Sequence, residues 1–379
     1  MVSGEYAMTE TVRVAALIDL AALESNLRTI RSHLSGQVKA LCVVKADAYG
    51  HGAIEVSRRL ESCGVSYLGV ANIDEGIELR EHGITLPILI MSGIFSWEEI
   101  DRAVRNNLTL VVYDAHTLER IREDCHSFVR PLKVHIKVDT GMGRLGFAPS
   151  DMAFVGEKLK GAQHIICEGL MTHFAASEVR DDYGLTQVSV FCEAQARLKA
   201  AGIIPEIIHM ANSGAITNYP EAHFDMVRVG ISLYGSHPAD DLAGKLPLRQ
   251  VMKCVSKVAL IREFPAGQPL SYGRTFITGR DTRVAYIPVG YADGYPRSLS
   301  NKGFVLIKDR KYSIVGIVCM DWTLVDITDA GTVDVGDEVI LLGHGDRETI
   351  TANELAEWAG TIPYEILCKI SKRVVRLYV

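Results

Sequence analysis

The run Cys42-Val43-Val44-Lys45 sets an ammonium at the end of a strongly apolar stretch, and a small-residue segment, "ADAYGHG", follows it. Taking a charge out of water is costly unless the charge is paired, solvated or neutralised. One reading is plain: a strand emerges into solvent at this point. The other is chemical. A desolvated lysine amine among other cations has a depressed pKa and becomes nucleophilic near neutral pH. Other apolar runs end in the same way, at Asp139 ahead of Arg144, at His173, at Asn212-Ser213, and at Arg228 ahead of Gly230, Ile231 and Tyr234. Brought to one face, these residues would give a lysine, two arginines, a histidine, and hydroxyl and amide groups, with Tyr49 close behind the lysine.

The elements that must bring them together are legible as patterns. Eight short runs rich in Val, Ile and Leu recur between Cys42 and Gly235: "CVVKA", "YLGVA", "PILIMSG", "LTLVVYD", "KVHIKVDT", "CEGLMTHF", "IIHMANS" and "MVRVGISLYG". Continuous apolar runs of this length are what strands buried on both faces look like. Helical patterns lie between them. Asn72 with Glu75, and Ser96 with Glu99, have the spacing of helix N-caps, Gly83 reads as a stop, and "TQVSVFCEAQARLKAAG" runs into Gly202. Eight strand–helix alternations predict an α/β fold, a (β/α)8 TIM barrel over residues 12–247. A doubly wound open sheet is the competing topology. After Leu248 the pattern changes to short alternating segments, "VSKVALI", "RVAYIPV", "GFVLI", "YSIVGIV" and "DVGDEVILLG", which predict a mainly β domain over 248–379. Residues 1–15 either join that domain or cap the barrel.

In such a barrel the C-terminal strand ends form the active face, and the ends of strands 7 and 8 are the usual phosphate site. "ANSGA" and "RVGIS" supply a hydroxyl and glycines there, which lets backbone N–H groups approach an oxyanion. "SGA" is equally a plain helix start. A strand-end lysine facing a phosphate site suggests a Schiff base with pyridoxal 5'-phosphate, the electron sink for chemistry at an amino acid's Cα.

The segments "VVKADAYGHG", "KVDTGMGRLGF", "MTHFA", "ANSGA", "VRVGISLYG", "SYGRTF", "GYADGYPR" and "CMD", in this order along nearly the whole chain, resemble alanine racemase of the fold-type III pyridoxal-phosphate class. The resemblance implies that Lys45 carries the cofactor and serves as one catalytic base, with Tyr272 the second. It implies phosphate contacts from Tyr49, Ser213, Gly230, Ile231 and Tyr364, with Asn212 nearby. Arg228 would face the pyridine nitrogen and His173 would stack on the ring. Arg144 and Met320 would lie at the substrate carboxylate, Tyr291 would narrow the entrance, and Lys137 would occupy a position often carbamylated in the family. It further implies a head-to-tail homodimer in which Tyr272 and Met320 enter the partner's site. Taken alone, Tyr272 reads as a turn tyrosine packed on strands. The implied activity is interconversion of L- and D-alanine by two bases, supplying D-alanine for peptidoglycan. A serine or broad-specificity racemase of the same fold is the alternative.

Composition narrows the field further. A net charge of -6 over 379 residues gives no basic stripe for nucleic acid and no polybasic segment for a membrane. The eight cysteines are scattered, without a C-x-x-C pair, which suits a reducing cytoplasm and no metal. The opening "MVSGEYAMTETVRVAALIDL" lacks the basic-then-apolar plan of a signal peptide. A basic amino-acid decarboxylase would share the barrel, lysine and cofactor but would lack the Tyr272-type base in "SYGRTF". A non-catalytic cofactor carrier would not need an extra domain of about 130 residues.

Overall fold

The computed structural model describes residues 12–379; the opening stretch read for a leader lies outside the described residues up to residue 11. Eight parallel strands follow one another as expected: Lys39–Val43, Tyr67–Val70, Ile88–Ile90, Thr109–Val112, Leu132–Lys137, Ile165–Met171, Ile207–His209 and Met226–Val229. Each of the first six pairs with the next in line as far as Ile207–His209, the seventh, and the eighth returns to pair with the first, Lys39 opposite Met226. That return excludes the open sheet. The seventh and eighth strands make no ladder. They are stitched by two backbone bonds, Asp225 N–H to the Ile208 carbonyl (3.0 Å) and Arg228 N–H to the Ala211 carbonyl (2.9 Å), so the barrel is nearly closed. The runs of Leu, Ile and Val in these strands are almost wholly buried. Each such side chain contributes about 1.5–3 kcal/mol of transfer free energy.

Helix starts follow the caps read from sequence. Asn72 accepts from Glu75 N–H, and Ser96 and Glu99 form a reciprocal capping box. The helix expected over "TQVSVFCEAQARLKAAG" begins earlier, at Asp182, because the Asp181 carboxylate accepts from Gly184 N–H and starts the turn there.

The second unit is mainly β. Its largest sheet runs Arg310–Ser313, Phe304–Ile307, Glu338–His344, Met252–Lys257, Ala15–Ile18 and Val375–Tyr378, with Thr349–Ile350 on Glu338–His344. The chain thus enters this sheet at Ala15–Ile18 before it enters the barrel, and its last strand pairs parallel to that one. Of "YSIVGIV" only the first two residues lie in a strand; the rest is a loop turning at Gly316. Two short antiparallel strands, Pro269–Leu270 and Phe276–Ile277, form a hairpin with Tyr272 in its tip. One contiguous apolar core runs through both units.

Candidate active site

The first barrel strand stops at Val43, and Lys45 opens an unusual turn. Ala46, Asp47, Ala48 and Tyr49 all have φ near +53°, one left-handed helical turn made of non-glycine residues. Each such residue costs about 1–2 kcal/mol relative to right-handed backbone, so the surroundings must hold the turn in place. Glu75 accepts from Ala46 N–H at 2.8 Å, and Asp47 accepts from Ala53 N–H at 2.8 Å. The His51 Nδ1–H is shared between the carbonyls of Ala48 and Tyr49 at 3.0 and 2.9 Å. Gly50 closes the turn under the helix Pro363–Cys368, where a Cβ would lie 2.3 Å from the Leu367 carbonyl oxygen. The β unit therefore presses directly on the lysine loop.

This turn places Lys45 and Tyr49 on a cavity of about 530 Å³ at the C-terminal mouth of the barrel. Lys137, Arg144, His173, Asn212, Ser213, Arg228, Gly230 and Tyr364 line the same cavity, as does Cys368. The size suits a small cofactor with its substrate. Burial, then the nearby Arg144, hold the Lys45 amine below its ordinary pKa. Burial with Arg144 and Arg228 brings Lys137 down to about 8. Burial followed by Arg144 lowers Arg228 to about 9, which still leaves it a cation at neutral pH. Burial and the surrounding cations keep His173 neutral. The site is a desolvated pocket of positive charge, fit for an anion.

Two details define its ends. At one end the Ser213 hydroxyl accepts from Gly230 N–H (3.0 Å) and Ser232 N–H (3.4 Å). A Cβ on Gly230 would stand 3.2 Å from the Tyr49 hydroxyl and 3.6 Å from the Ser213 hydroxyl, so glycine keeps open a cradle between two hydroxyls and two amides. Tyr49 is fixed there by its ring contacts with Tyr234 (4.9 Å) and Tyr364 (6.0 Å). Deeper in the barrel, Arg228 donates from Nη1 and Nη2 to His209, His173 Nδ1 (3.0 Å) and the carbonyls of Thr172 and Met210. Its Nε is buried without a partner. An orphan donor facing no protein acceptor is what a lone-pair ring nitrogen would satisfy. The residues present fit a phosphorylated pyridine aldehyde.

Other expected site residues are placed differently. Asn212 lines the cavity, but its side chain accepts from Ala215 N–H as a helix cap. The Ile231 side chain is buried in the core. Tyr272, Met320 and Tyr291 do not line this cavity. Tyr272 borders a separate, shallow apolar cavity of about 620 Å³ with Ser271, Cys319 and Trp322. The Ser271 hydroxyl ties that hairpin to the Ile317 carbonyl (2.8 Å), and Tyr291 N–H reaches the Cys319 carbonyl (3.0 Å), beside Met320. All three residues are exposed, Tyr272 at 71%. Within one chain these three residues thus lie outside the cavity that holds Lys45.

A family model described as the alanine racemase N-terminal domain matches residues 18–238, and one described as its C-terminal domain matches residues 251–378. The chain belongs to the alanine racemase family. It is 42% identical over 364 residues to alanine racemase 2 of Caldanaerobacter subterraneus subsp. tengcongensis, covering 96% of this chain and 94% of that one. Among solved structures, an alanine racemase of Clostridium difficile 630 superposes with a TM-score of 0.91 at 41% identity, covering 97% and 96% of the two chains. The alanine racemase of Bacillus anthracis with bound L-Ala-P gives 0.91 at 33% identity, covering 97% and 95%. The chain is thus an alanine racemase, an isomerase, with a fold held along its whole described length.

Proposed function

We propose that this alanine racemase interconverts L- and D-alanine with pyridoxal 5'-phosphate seated in the barrel mouth, using Lys45 and Tyr272 as bases on opposite faces of the substrate. The observation that carries the reading is the coincidence, in one cavity, of a desolvated lysine, an orphan guanidinium Nε and a glycine-lined hydroxyl cradle. Tyr49, Ser213, Gly230 and Tyr364 would hold the phosphate. Arg228, which can only donate, would meet the ring nitrogen and leave it without a proton. His173 would lie against the ring, and Lys45 would tether the cofactor through its amine. When bound, the cofactor draws electron density from the substrate's Cα and makes its proton labile.

The chain's own groups then do the following. Arg144, at the rim, neutralises the substrate carboxylate, with Lys137, carbamylated or free, beside it. Lys45 Nζ takes or returns the Cα proton on one face. The Tyr272 hydroxyl does so on the other, and it reaches the site from a second copy of the chain. Tyr272 and Trp322, both exposed on one apolar cavity, support that head-to-tail homodimer, since exposed apolar patches mark interaction sites. Tyr291 and Met320 would close the entrance around a methyl-sized side chain. The reaction would run in the cytoplasm and supply D-alanine for cell-wall peptidoglycan. A racemisation assay across alanine, serine and lysine tests the reading. Alanine should turn over fastest in both directions. Absence of alanine racemisation in cofactor-loaded protein, with carbon dioxide released from lysine instead, would overturn it.

A further inference from the structure

A barrel interior is ordinarily filled with layers of branched apolar side chains. Behind Arg228 this one carries a file of polar groups. Arg228 Nη1 lies 3.2 Å from His209 Nδ1, His209 Nε2 lies 2.8 Å from His135 Nδ1, and His135 Nε2 lies 3.2 Å from Glu168 Oε2. The Tyr67 hydroxyl donates to the same carboxylate oxygen, with Thr109 behind it at 3.0 Å. Lys133, half exposed at the far end of the barrel, donates to Glu168 Oε1 at 2.6 Å. Both histidines are fully buried.

The protons in this file have one consistent arrangement. A guanidinium offers donors only, so His209 Nδ1 must be a lone pair. The proton of that neutral ring is then on Nε2 and points at His135, whose Nδ1 must accept it. The proton of His135 is in turn on Nε2 and points at Glu168, which ends the chain as a carboxylate. Reversing any link would set two N–H groups against each other at Arg228. Burial works to raise the Glu168 pKa, but the donors His135, Lys133 and Tyr67 outweigh it and hold it at about 2.

The backbone is shaped for this file. The ladder between strands five and six slips, so that Val134 faces Cys167 while His135 faces Gly169, and Glu168 is left as the extra residue. Such a bulge re-aims a side chain. Gly169 makes room as well: a Cβ there would stand 2.5 Å from His135 Nδ1.

We infer that Glu168 and His135 are positioning residues for Arg228: the carboxylate orients both imidazoles in series, the His209 Nδ1 lone pair accepts from the guanidinium's Nη1, and Nε is left as its free donor. Through Nη2 the same guanidinium fixes the lone pair of His173 on Nδ1. The inference rests on the proposed role of Arg228 at the cofactor ring. It is tested by nitrogen-15 NMR of histidine-labelled full-length protein, loaded with pyridoxal 5'-phosphate, with signals assigned through His135→Gln. In the wild type, both rings should show a bare Nδ1 and a protonated Nε2 across pH about 6 to about 8. In Glu168→Gln, Arg228 still fixes both tautomers, so each ring should keep its bare Nδ1, but the His135 Nε2 signal should shift as its charged acceptor is lost, with kcat down roughly ten-fold and KM within roughly two-fold. A protonated Nδ1 on either wild-type ring would overturn the inference, as would a Glu168→Gln protein with unchanged ring signals and kcat. The wild-type spectrum does not depend on turnover. A racemase assay that fails while the ring pattern holds therefore counts against the proposed function and leaves the hydrogen-bond file standing.

Discussion

Replacing Gly230 with alanine tests the cradle directly. The backbone at Gly230 has φ of -105° and ψ of -112°, outside the left-handed region but between the preferred basins, so alanine adds about 1–3 kcal/mol of strain there. Its methyl would sit 3.2 Å from the Tyr49 hydroxyl and 3.6 Å from the Ser213 hydroxyl, a tight but tolerable contact needing a shift of a few tenths of an ångström. Overpacking of that size adds about 1 kcal/mol at the low end of the usual range, so the cofactor-free protein should still fold, with lower stability. Binding should suffer in its own right. The methyl fills the space a phosphate oxygen would take and screens the Tyr49 and Ser213 hydroxyls. Each hydrogen bond to a charged partner is worth about 1.5–3 kcal/mol. Losing two at the low end gives about 3 kcal/mol, or a little over 100-fold in affinity. The assay is a fluorescence titration of cofactor-free protein with pyridoxal 5'-phosphate, run beside pyridoxal, which lacks the phosphate. The phosphate form should weaken about 100-fold and pyridoxal hardly at all. Equal losses for both would mean that the methyl distorts the lysine loop rather than blocking an anion site. An affinity for the phosphate form that is unchanged would remove the cradle altogether.

Three further outcomes follow from other parts of the structure. Lys45→Ala and Tyr272→Phe chains, each inactive alone, should regain about one quarter of wild-type activity when dissociated and mixed as equal parts, since half the dimers would carry one intact site; recovery of nothing would refute shared sites. Ala46→Gly should leave stability to urea unchanged or raised by up to about 1 kcal/mol, because glycine relieves left-handed strain at an entropic cost. The same change at Ala194, buried in the helix Asp182–Ala200, should cost at least about 1 kcal/mol. Burial brings His51 down to about 4 against the pull of its two carbonyl acceptors. The unfolded chain takes up that proton near pH 6.5 and the folded one near 4, so stability should fall as pH drops through this window. A His51→Gln variant should lose less over the same range, as read from melting temperature against pH.

Much of this was legible because parallel strands buried on both faces leave continuous apolar runs, and a polar residue ending such a run is conspicuous. Lys45, His173 and Arg228 stand out for that reason, and the caps at Asn72 and Ser96 because capping depends only on local spacing. The left-handed turn at Ala46–Tyr49 is different. No local propensity favours it; Glu75 and the Leu367 carbonyl impose it from two distant segments, and His51 ties it down locally. Glu168 was hidden by register. Read with strict alternation it can be set on either face, and only the slip between Val134 and His135 turns it inward. The sequence did contain a signal for the file behind Arg228, since "KVHIK", "CEGL" and "IIHM" each carry a polar residue inside a run that should be apolar throughout.

Tyr272 marks the limit of any single-chain reading. Local pattern makes it a hairpin tyrosine, and the fold agrees: its turn is held by Ser271 and by positive-φ backbone at Ser271, Gly273 and Arg274. A strained, well-anchored turn that ends in a 71% exposed aromatic ring is poor economy for an isolated chain. The same geometry makes sense where a second copy covers it, because the strain then fixes the hydroxyl before the partner's cavity arrives. Distorting the turn without removing the ring should therefore be more harmful to turnover than to folding. Gly273→Ala forces a side chain into φ of +68° and costs about 1 kcal/mol of strain. If Tyr272 works across the interface, that variant should lose kcat while its cofactor affinity, set by the Lys45 half-site, stays at the wild-type value. Equal loss of both would return Tyr272 to the role of a packed turn residue.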